Sequence, residues 1–178
     1  AENALATTTS ADDGSFSFTN VPYGDWVLKE LESPEGFILS DEVIPVTVEE
    51  DGQVVEISLA NERVYGDLRL TKVDKDYPDN KLTGAEFEVY RDTNEGDELL
   101  GKLEETSTGI YEMSHILYGG VFVRETKAPE GFLLDENAYY VEITENGKIY
   151  EVENEAGIGF TNMAQTGSLR IEKTSSDG

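Results

Sequence analysis

Two stretches of this chain read VPYGDWVLKELESPEGFIL (Val21–Leu39) and LYGGVFVRETKAPEGFLL (Leu117–Leu134). They share one pattern: an alternating apolar run, then a glutamate, then a Pro-Glu-Gly turn followed by phenylalanine. Matched positions such as Tyr23 and Tyr118 lie 95 residues apart. An internal repeat of this spacing predicts tandem modules of about one hundred residues each.

A second pair of matched stretches sets the predicted module boundaries. NERVYGDLRLTK (Asn61–Lys72) resembles NMAQTGSLRIEK (Asn162–Lys173), and these copies lie 101 residues apart. The repeat therefore predicts that residues 1–63 are the later part of a first module and that residues 64–164 are a complete module. Residues 165–178 are predicted to be the opening strand of a following module.

The local pattern predicts an all-β chain. Short runs of alternating apolar and polar residues, which are typical of strands, are separated by turn signals such as Asp51-Gly52 and Asn146-Gly147. The predicted strands include Leu68–Lys72, Ala85–Tyr90, Val121–Glu125 and Tyr139–Ile143. Strands at this spacing favour an immunoglobulin-like β-sandwich for each module.

Composition excludes several classes of function. The 178 residues include 38 Asp and Glu against 13 Lys and Arg, a formal net charge of −25. So acidic a chain disfavours a nucleic-acid partner and an anionic membrane surface, and no stretch is apolar enough to insert into a membrane. Because the chain has no cysteine, disulfides and thiolate chemistry are impossible, and we expect no metal or other cofactor.

In three predicted strands of the complete module, a row of inward-facing apolar residues is followed by a polar residue on the same face. Residues two apart in a strand share a face. The rows are Leu68, Leu70 and Lys72; Val121, Val123 and Glu125; and Ile158, Phe160 and Asn162. The incomplete module repeats two of the polar positions at Glu30 and Asn61, and the C-terminal segment repeats the third at Lys173. This recurrence predicts that lysine, glutamate and asparagine meet in the core.

A buried trio of this kind has a definite chemistry. Burial lowers the pKa of a lysine and raises that of a glutamate, so the two need not be charged. A neutral amine is a nucleophile, and a protonated carboxyl can hydrogen-bond the asparagine carbonyl oxygen and carry protons. We therefore expect an amide between the lysine and asparagine side chains, with loss of ammonia. Such a reaction turns over once, so the chain is not an enzyme.

The motifs GDLRLTKVD, YGGVFVRETKAPEGFLL and GFTNMAQTG together resemble the B-type repeat of collagen adhesins and the related pilin modules of Gram-positive bacteria. The resemblance implies an autocatalytic isopeptide bond between Lys72 and Asn162, promoted by Glu125. Glu30 and Asn61 match the promoter and acceptor of the incomplete module. The chain departs from the family pattern there, because it has no lysine in phase upstream of Glu30.

The resemblance implies a structural stalk or pilus module of a secreted, cell-wall-anchored surface protein, whose partners are neighbouring modules. A second hypothesis is head-to-tail self-association, in which the strand Gly167–Lys173 places Lys173 beside Asn61 and Glu30 of a neighbouring chain. The alternative function is an adhesin module that binds a host protein or glycan. Its candidate site residues are Tyr139, Tyr140 and the loop Asp92–Asp97. The lone histidine, His115, is predicted to lie in a loop or at a strand end.

Overall fold

The structure of the chain is a computed structural model that describes residues 4–174. Over these residues it contains eleven strands and no helix, so the predicted all-β class is confirmed. The chain divides into two compact units. Unit 1 comprises residues up to Glu35 together with Leu39–Asn61, and unit 2 comprises Gly36–Ile38 together with residues from Glu62 onward. The three module boundaries inferred from the repeat stay predictions.

Unit 1 contains one small sheet. Strands β1 (Gly24–Lys29) and β2 (Val43–Val48) pair antiparallel. Alternate residues of β1, including Trp26 and Leu28, are half-buried, as their two-residue spacing predicts. No apolar side chain among the described residues of unit 1 is fully buried. Residues 53–60, which precede Asn61, have no ladder partner and form no strand.

Unit 2 consists of two sheets. The first has the order β10-β3-β7-β6, with β11 also paired to β3; its strands are β3 (Tyr65–Asp74), β6 (Glu104–Ser107), β7 (Ile110–Leu117), β10 (Ile149–Glu151) and β11 (Phe160–Asn162). The second has the order β5-β4-β8-β9; its strands are β4 (Glu86–Thr93), β5 (Gly96–Lys102), β8 (Gly119–Lys127) and β9 (Ala138–Ile143). Both β10 and β11 run parallel to β3, so the first and last strands of unit 2 are neighbours.

One hydrophobic core joins the inner faces of these sheets. Leu68, Leu70 and Phe160 from the first sheet pack in the same cluster as Val121 and Val123 from the second, and each is 0 % exposed. This arrangement is a β-sandwich, in which strands of both sheets contribute alternate residues to the core. The predicted inner faces of β3 and β8 are therefore confirmed.

The alternation predicted for the last strand is wrong at one position. Ile158 is 38 % exposed and lies before β11. The cause is Gly159, which has a φ of +123° and whose hydrogen points at the Thr71 carbonyl; a Cβ there would lie 2.7 Å from that oxygen. Only glycine tolerates this conformation and approach, and the resulting turn of the backbone interrupts the two-residue period.

The predicted loop or strand-end position of His115 is also wrong. His115 lies inside β7, at a bulge where Ser114 and His115 oppose the single residue Asp67 of β3. Its φ is +64°, its backbone N–H donates to the Asp67 carboxylate at 2.8 Å, and its ring stacks on Tyr65. A bulge accounts for this backbone because the extra residue leaves the strand conformation.

The described part of the C-terminal segment, residues 165–174, has no strand. Its apolar side chains are open to solvent, with Leu169 86 % and Ile171 78 % exposed. Residues 175–178 are the last four of the segment predicted to open a following module, and they lie outside the described residues. Within the described part of the chain, no helix is long and apolar enough to cross a membrane.

Candidate functional site

Three strands bring the predicted lysine, glutamate and asparagine together inside unit 2. Lys72 lies in β3, Glu125 in β8 and Asn162 in β11. They are 0 %, 4 % and 3 % exposed, so all three polar side chains lie within the apolar core. β3 and β11 are parallel neighbours in one sheet, and β8 faces them from the other. The site therefore spans the interior of the sandwich.

The lysine amine lies beside the carboxylate and the closing strand. Lys72 Nζ is 3.9 Å from Glu125 Oε1 and donates a hydrogen bond to the Phe160 carbonyl at 3.1 Å. The same nitrogen lies 5.5 Å from the centre of the Phe160 ring. The amine is therefore held between the promoter candidate and the strand that carries Asn162.

The asparagine amide is oriented by two acceptors. Its Nδ2 donates to Glu125 Oε2 at 2.8 Å and to the Leu133 carbonyl at 2.7 Å. Because a carbonyl can only accept, the Leu133 contact fixes which end of the amide is nitrogen. The carboxyl thus meets the asparagine nitrogen, whereas we expected it to meet the carbonyl oxygen. Asn162 Oδ1 and Glu125 Oε1 are buried without a hydrogen-bond partner among the described residues.

Burial shifts the ionisation of both charged groups toward neutrality. Desolvation lowers the pKa of Lys72 to about 8, although Glu125, Asp135 and Asp74 oppose the shift by their charge. Desolvation likewise raises the pKa of Glu125, against the hydrogen bonds from Asp135 and Asn162 and the charge of Lys72. The energetic gap between the ion pair and the neutral pair is therefore smaller than in water. A proton can pass from the amine to the carboxylate at a reduced cost.

A loop network that the sequence did not reveal holds the promoter and the closing strand. The backbone N–H of Asp135 donates to Glu125 Oε2 at 2.9 Å. The Asp135 carboxylate accepts hydrogen bonds from Tyr139 and from Asn154 Nδ2. Asn154 in turn accepts from the Thr161 N–H at 2.6 Å and donates to the Thr161 carbonyl at 2.8 Å. Asp135 therefore links the carboxyl of the site to the strand that carries the acceptor.

Unit 1 contains a matching promoter and acceptor. Asn61 Nδ2 donates to both oxygens of Glu30, at 2.7 Å and 2.9 Å. The backbone N–H of Ser40 donates to Glu30 Oε2 at 2.9 Å, and Ser40 follows Glu30 by ten residues, as Asp135 follows Glu125. The remaining predicted site residue, Lys173, lies in the exposed C-terminal segment. Its meeting with Asn61 and Glu30 stays a prediction.

The structure also places the residues that were considered for metal binding or ligand binding. His115 belongs to the bulge described above, and no cluster of three or more possible metal ligands occurs among residues 4–174. Tyr139 points inward, where its ring packs edge-on against Phe160, while Tyr140 is 58 % exposed. Tyr140 lines a shallow depression of about 350 Å³ together with Arg91, Asp92, Tyr118, Gly119, Gly120 and Phe122.

Comparison with known proteins places this fold in a family. The sequence matches the family described as SpaA, prealbumin-like fold domain, over residues 1–63 and again over 66–156. Its structure is similar to that of the Bacillus anthracis TIE protein, with a TM-score of 0.71 and 30% identity over 88% of this chain and 27% of that one. This chain therefore spans about a quarter of the TIE structure.

Lower similarity extends to two solved pilins. BcpA, the major pilin subunit of Bacillus cereus, has a TM-score of 0.46 and 23% identity over 72% of this chain and 35% of its own. A streptococcal ancillary pilin has a TM-score of 0.42 and 21% identity over 82% of this chain and 43% of its own. No curated protein sequence matches the chain.

Proposed function

We propose a function for this chain, which belongs to the SpaA family of prealbumin-like fold domains. It is a structural segment of a Gram-positive surface or pilus protein, stabilised by an isopeptide bond between Lys72 and Asn162. One observation carries the proposal: the buried Glu125 carboxylate faces the lysine amine with one oxygen and the asparagine amide nitrogen with the other. A purely structural ion pair would not need a buried carboxamide on its second oxygen.

The geometry supports a proton relay through Glu125. The Lys72 ammonium gives one proton to Oε1, and the neutral amine attacks Cγ of Asn162. The Nζ–Cγ bond forms, and the protonated carboxyl delivers a proton to Nδ2, which lies 2.8 Å from Oε2. The Cγ–Nδ2 bond then breaks and the carboxylate is regenerated. The lysine amine loses a second proton when the amide forms, and the leaving ammonia carries that proton away. Folding supplies the proximity that makes an amine and an amide react.

The position of the bond indicates its structural role. It would join β3 to β11, the first and last strands of unit 2, which enter and leave the module. A pulling force applied through neighbouring modules would then pass along the covalent bond and bypass the remaining sheets. This role suits a surface stalk that has no cysteine and so no disulfide to hold it outside the cell.

Intact-mass measurement tests the proposal directly. The denatured chain should weigh less than its sequence by one ammonia, and Lys72→Met should restore the full mass. Lys102→Met, which changes a half-exposed lysine of β5, is the matched control and should keep the loss. Peptide mapping should find Lys72 and Asn162 in one branched peptide. A folded wild-type chain with the mass of its sequence would refute the proposed bond.

A second candidate function is ligand binding by the outer face of the second sheet. The exposed Tyr140 ring lies beside Phe122, with ring centres 5.3 Å apart, and forms one wall of the shallow depression. Arg91 lines the same depression, and its buried Nε has no hydrogen-bond partner among the described residues. An aromatic wall beside a guanidinium suits a glycan or peptide that carries a carboxylate. A glycan and protein array should show binding that Tyr140→Ala abolishes; no binding by the wild type would reject this candidate.

A further inference from the structure

The strand that carries the acceptor asparagine has ladder support on one side. β11 is three residues long, and among the described strands it pairs with β3. The Asn162 carbonyl accepts from the Lys75 N–H at 3.0 Å, so the backbone of Asn162 faces β3. Backbone groups of successive residues in a strand face opposite sides, so those of Thr161 face away from β3. Because so short a strand has few ladder bonds, its position depends on contacts to this other edge.

The side chain of Asn154 lies where a further strand would pair with that edge. Its Oδ1 accepts from the Thr161 N–H at 2.6 Å, and its Nδ2 donates to the Thr161 carbonyl at 2.8 Å. A carboxamide offers an acceptor and a donor, as a peptide group does, so it satisfies both backbone atoms of one residue. Thr161 is buried, so its backbone would lose these partners if the carboxamide were removed.

The carboxamide of Asn154 fits in one orientation. Its Nδ2 donates a second hydrogen bond to Asp135 Oδ2 at 2.8 Å, so both hydrogens of that nitrogen are used. A flipped amide would place its oxygen against the Asp135 carboxylate and the Thr161 carbonyl, which can only accept. Asp135 is itself held, since its Oδ1 accepts from the Asn137 N–H at 3.0 Å and from Asn137 Nδ2 at 2.7 Å. The Thr161 backbone therefore meets a side chain whose geometry is fixed.

These contacts form a closed ring of hydrogen bonds around the acceptor amide. The Asp135 N–H donates to Glu125 Oε2 at 2.9 Å, and the Asp135 carboxylate accepts from Asn154. Asn154 binds the backbone of Thr161, and the next residue along the chain is Asn162. The ring closes where Asn162 Nδ2 donates to Glu125 Oε2, the same oxygen, at 2.8 Å. The distance between promoter and acceptor is therefore set from two directions.

The position of β11 also sets where the lysine amine meets the amide. Lys72 Nζ donates to the Phe160 carbonyl at 3.1 Å, so the amine depends on the placement of this strand. Phe160 and Asn162 flank Thr161, the residue whose backbone Asn154 holds. A shift of β11 by about 1 Å would change the distance from the amine to the amide carbon, and misplacement of that size lowers a rate by about 100-fold.

We propose that Asn154 is a positioning residue for the bond between Lys72 and Asn162 and sets the rate at which that bond forms. The inference rests on the function proposed above, because it concerns the rate of the same reaction. The side-chain hydrogen bonds of Asn154 go to Asp135 and Thr161, so it acts through the backbone of β11 and transfers no proton. Loss of the carboxamide should slow bond formation and leave the product unchanged.

The rate of ammonia loss during cell-free synthesis tests the proposal. Samples quenched in acid at intervals give, by intact mass, the fraction of chains that have formed the bond. Asn154→Ala should slow bond formation by about 10- to 100-fold and still reach the same final mass. Asn94→Ala is the matched control, because it changes an exposed asparagine in the turn between β4 and β5, and it should react at the wild-type rate.

A second background separates positioning from folding. In Lys72→Met, which cannot form the bond, urea unfolding with and without Asn154→Ala gives the fraction of chains folded under the assay conditions. The rate per folded chain should still fall by at least about tenfold, and its pH dependence should keep the wild-type shape. An unchanged rate per folded chain would show that Asn154 only stabilises the fold, and a shifted pH dependence would place it in the proton transfer; either result overturns the proposal.

Two more variants keep the test decisive. If Asn154→Ala does not fold, Asn154→Asp replaces it, because it retains the acceptor for the Thr161 N–H but loses the donor to the carbonyl. It should also be slow, and a wild-type rate would overturn the proposal. Asp135→Ala leaves the backbone N–H to Glu125 in place. Combined with an Asn154 change, it should slow the reaction by less than the product of the two single effects, since both break one contact. A full product would refute the link between Asp135 and Asn154.

The outcomes separate this inference from the proposed function. A folded wild-type chain that loses no ammonia would contradict the proposed function itself. If the wild type loses one ammonia and folded Asn154→Ala loses it at the same rate, the bond stands and the positioning role is refuted.

Discussion

Replacing Lys72 by methionine should lower stability by an amount that the loop geometry sets. Methionine fills the space of the lysine stem without the amine, so the change removes the bond and leaves the packing nearly intact. The bond from Lys72 to Asn162 closes a loop of about 90 residues, and the chain entropy of such a loop corresponds to about 4.5 kcal/mol at 25 °C. For a domain of about 100 residues, that free energy lowers the melting temperature by about 20–35 °C.

Calorimetry or circular dichroism of the purified variants measures this difference. Lys102→Met serves as the control, because it removes an amine from an exposed position and should melt within a few degrees of the wild type. The denaturant dependence should also become steeper in Lys72→Met, since an unfolded chain without the cross-link exposes more surface. A Lys72→Met melting temperature close to that of the wild type would refute the reasoning.

Three further changes probe the site. Glu125→Gln should leave the full sequence mass, because glutamine cannot relay a proton; formation of the bond in this variant would contradict the relay. Asn162→Ala leaves Lys72 with a free amine whose pKa is lowered to about 8, so its free energy of unfolding should rise by about 3 kcal/mol between pH 8 and 10.5, where the unfolded chain binds the extra proton. Adding Lys72→Met should remove that rise, measured by urea unfolding at each pH. Gly159→Ala should displace β11 from Thr71, whose carbonyl a Cβ would meet at 2.7 Å, and a mixed population of masses would show slower bonding.

The sequence predicted the three side chains of the site because strand alternation is a strong local rule. Lys72 and Glu125 each follow two buried aliphatic residues at a spacing of two, and the structure buries both. Asn162 is also buried, but the reasoning that selected it was partly wrong, since Ile158 is outside the strand. Its neighbour Phe160 and the recurrence at Asn61 were sufficient to identify it.

The supporting loop could not be predicted by the same rule. The Leu133 carbonyl and the Asp135 N–H act through the backbone, and a backbone group leaves no residue type in the sequence. One weak signal exists: the tenth residue after each promoter is small and polar, Ser40 in one copy and Asp135 in the other. The orientation of the Asn162 amide depends on that loop, which is why the expected contact with the carbonyl oxygen was wrong.

Unit 1 shows which part of the site forms without a lysine. Glu30 holds Asn61 by two hydrogen bonds and accepts the Ser40 N–H, although unit 1 has no lysine beside them among its described residues. The contact between promoter and acceptor therefore depends on the β8-like strand, its turn and the closing segment. In unit 2 the lysine of the site, Lys72, comes from β3, the first strand of that unit. In unit 2 the pairing of β3 with β11 brings the amine beside an amide that Glu125 orients, so the reaction depends on this long-range pairing.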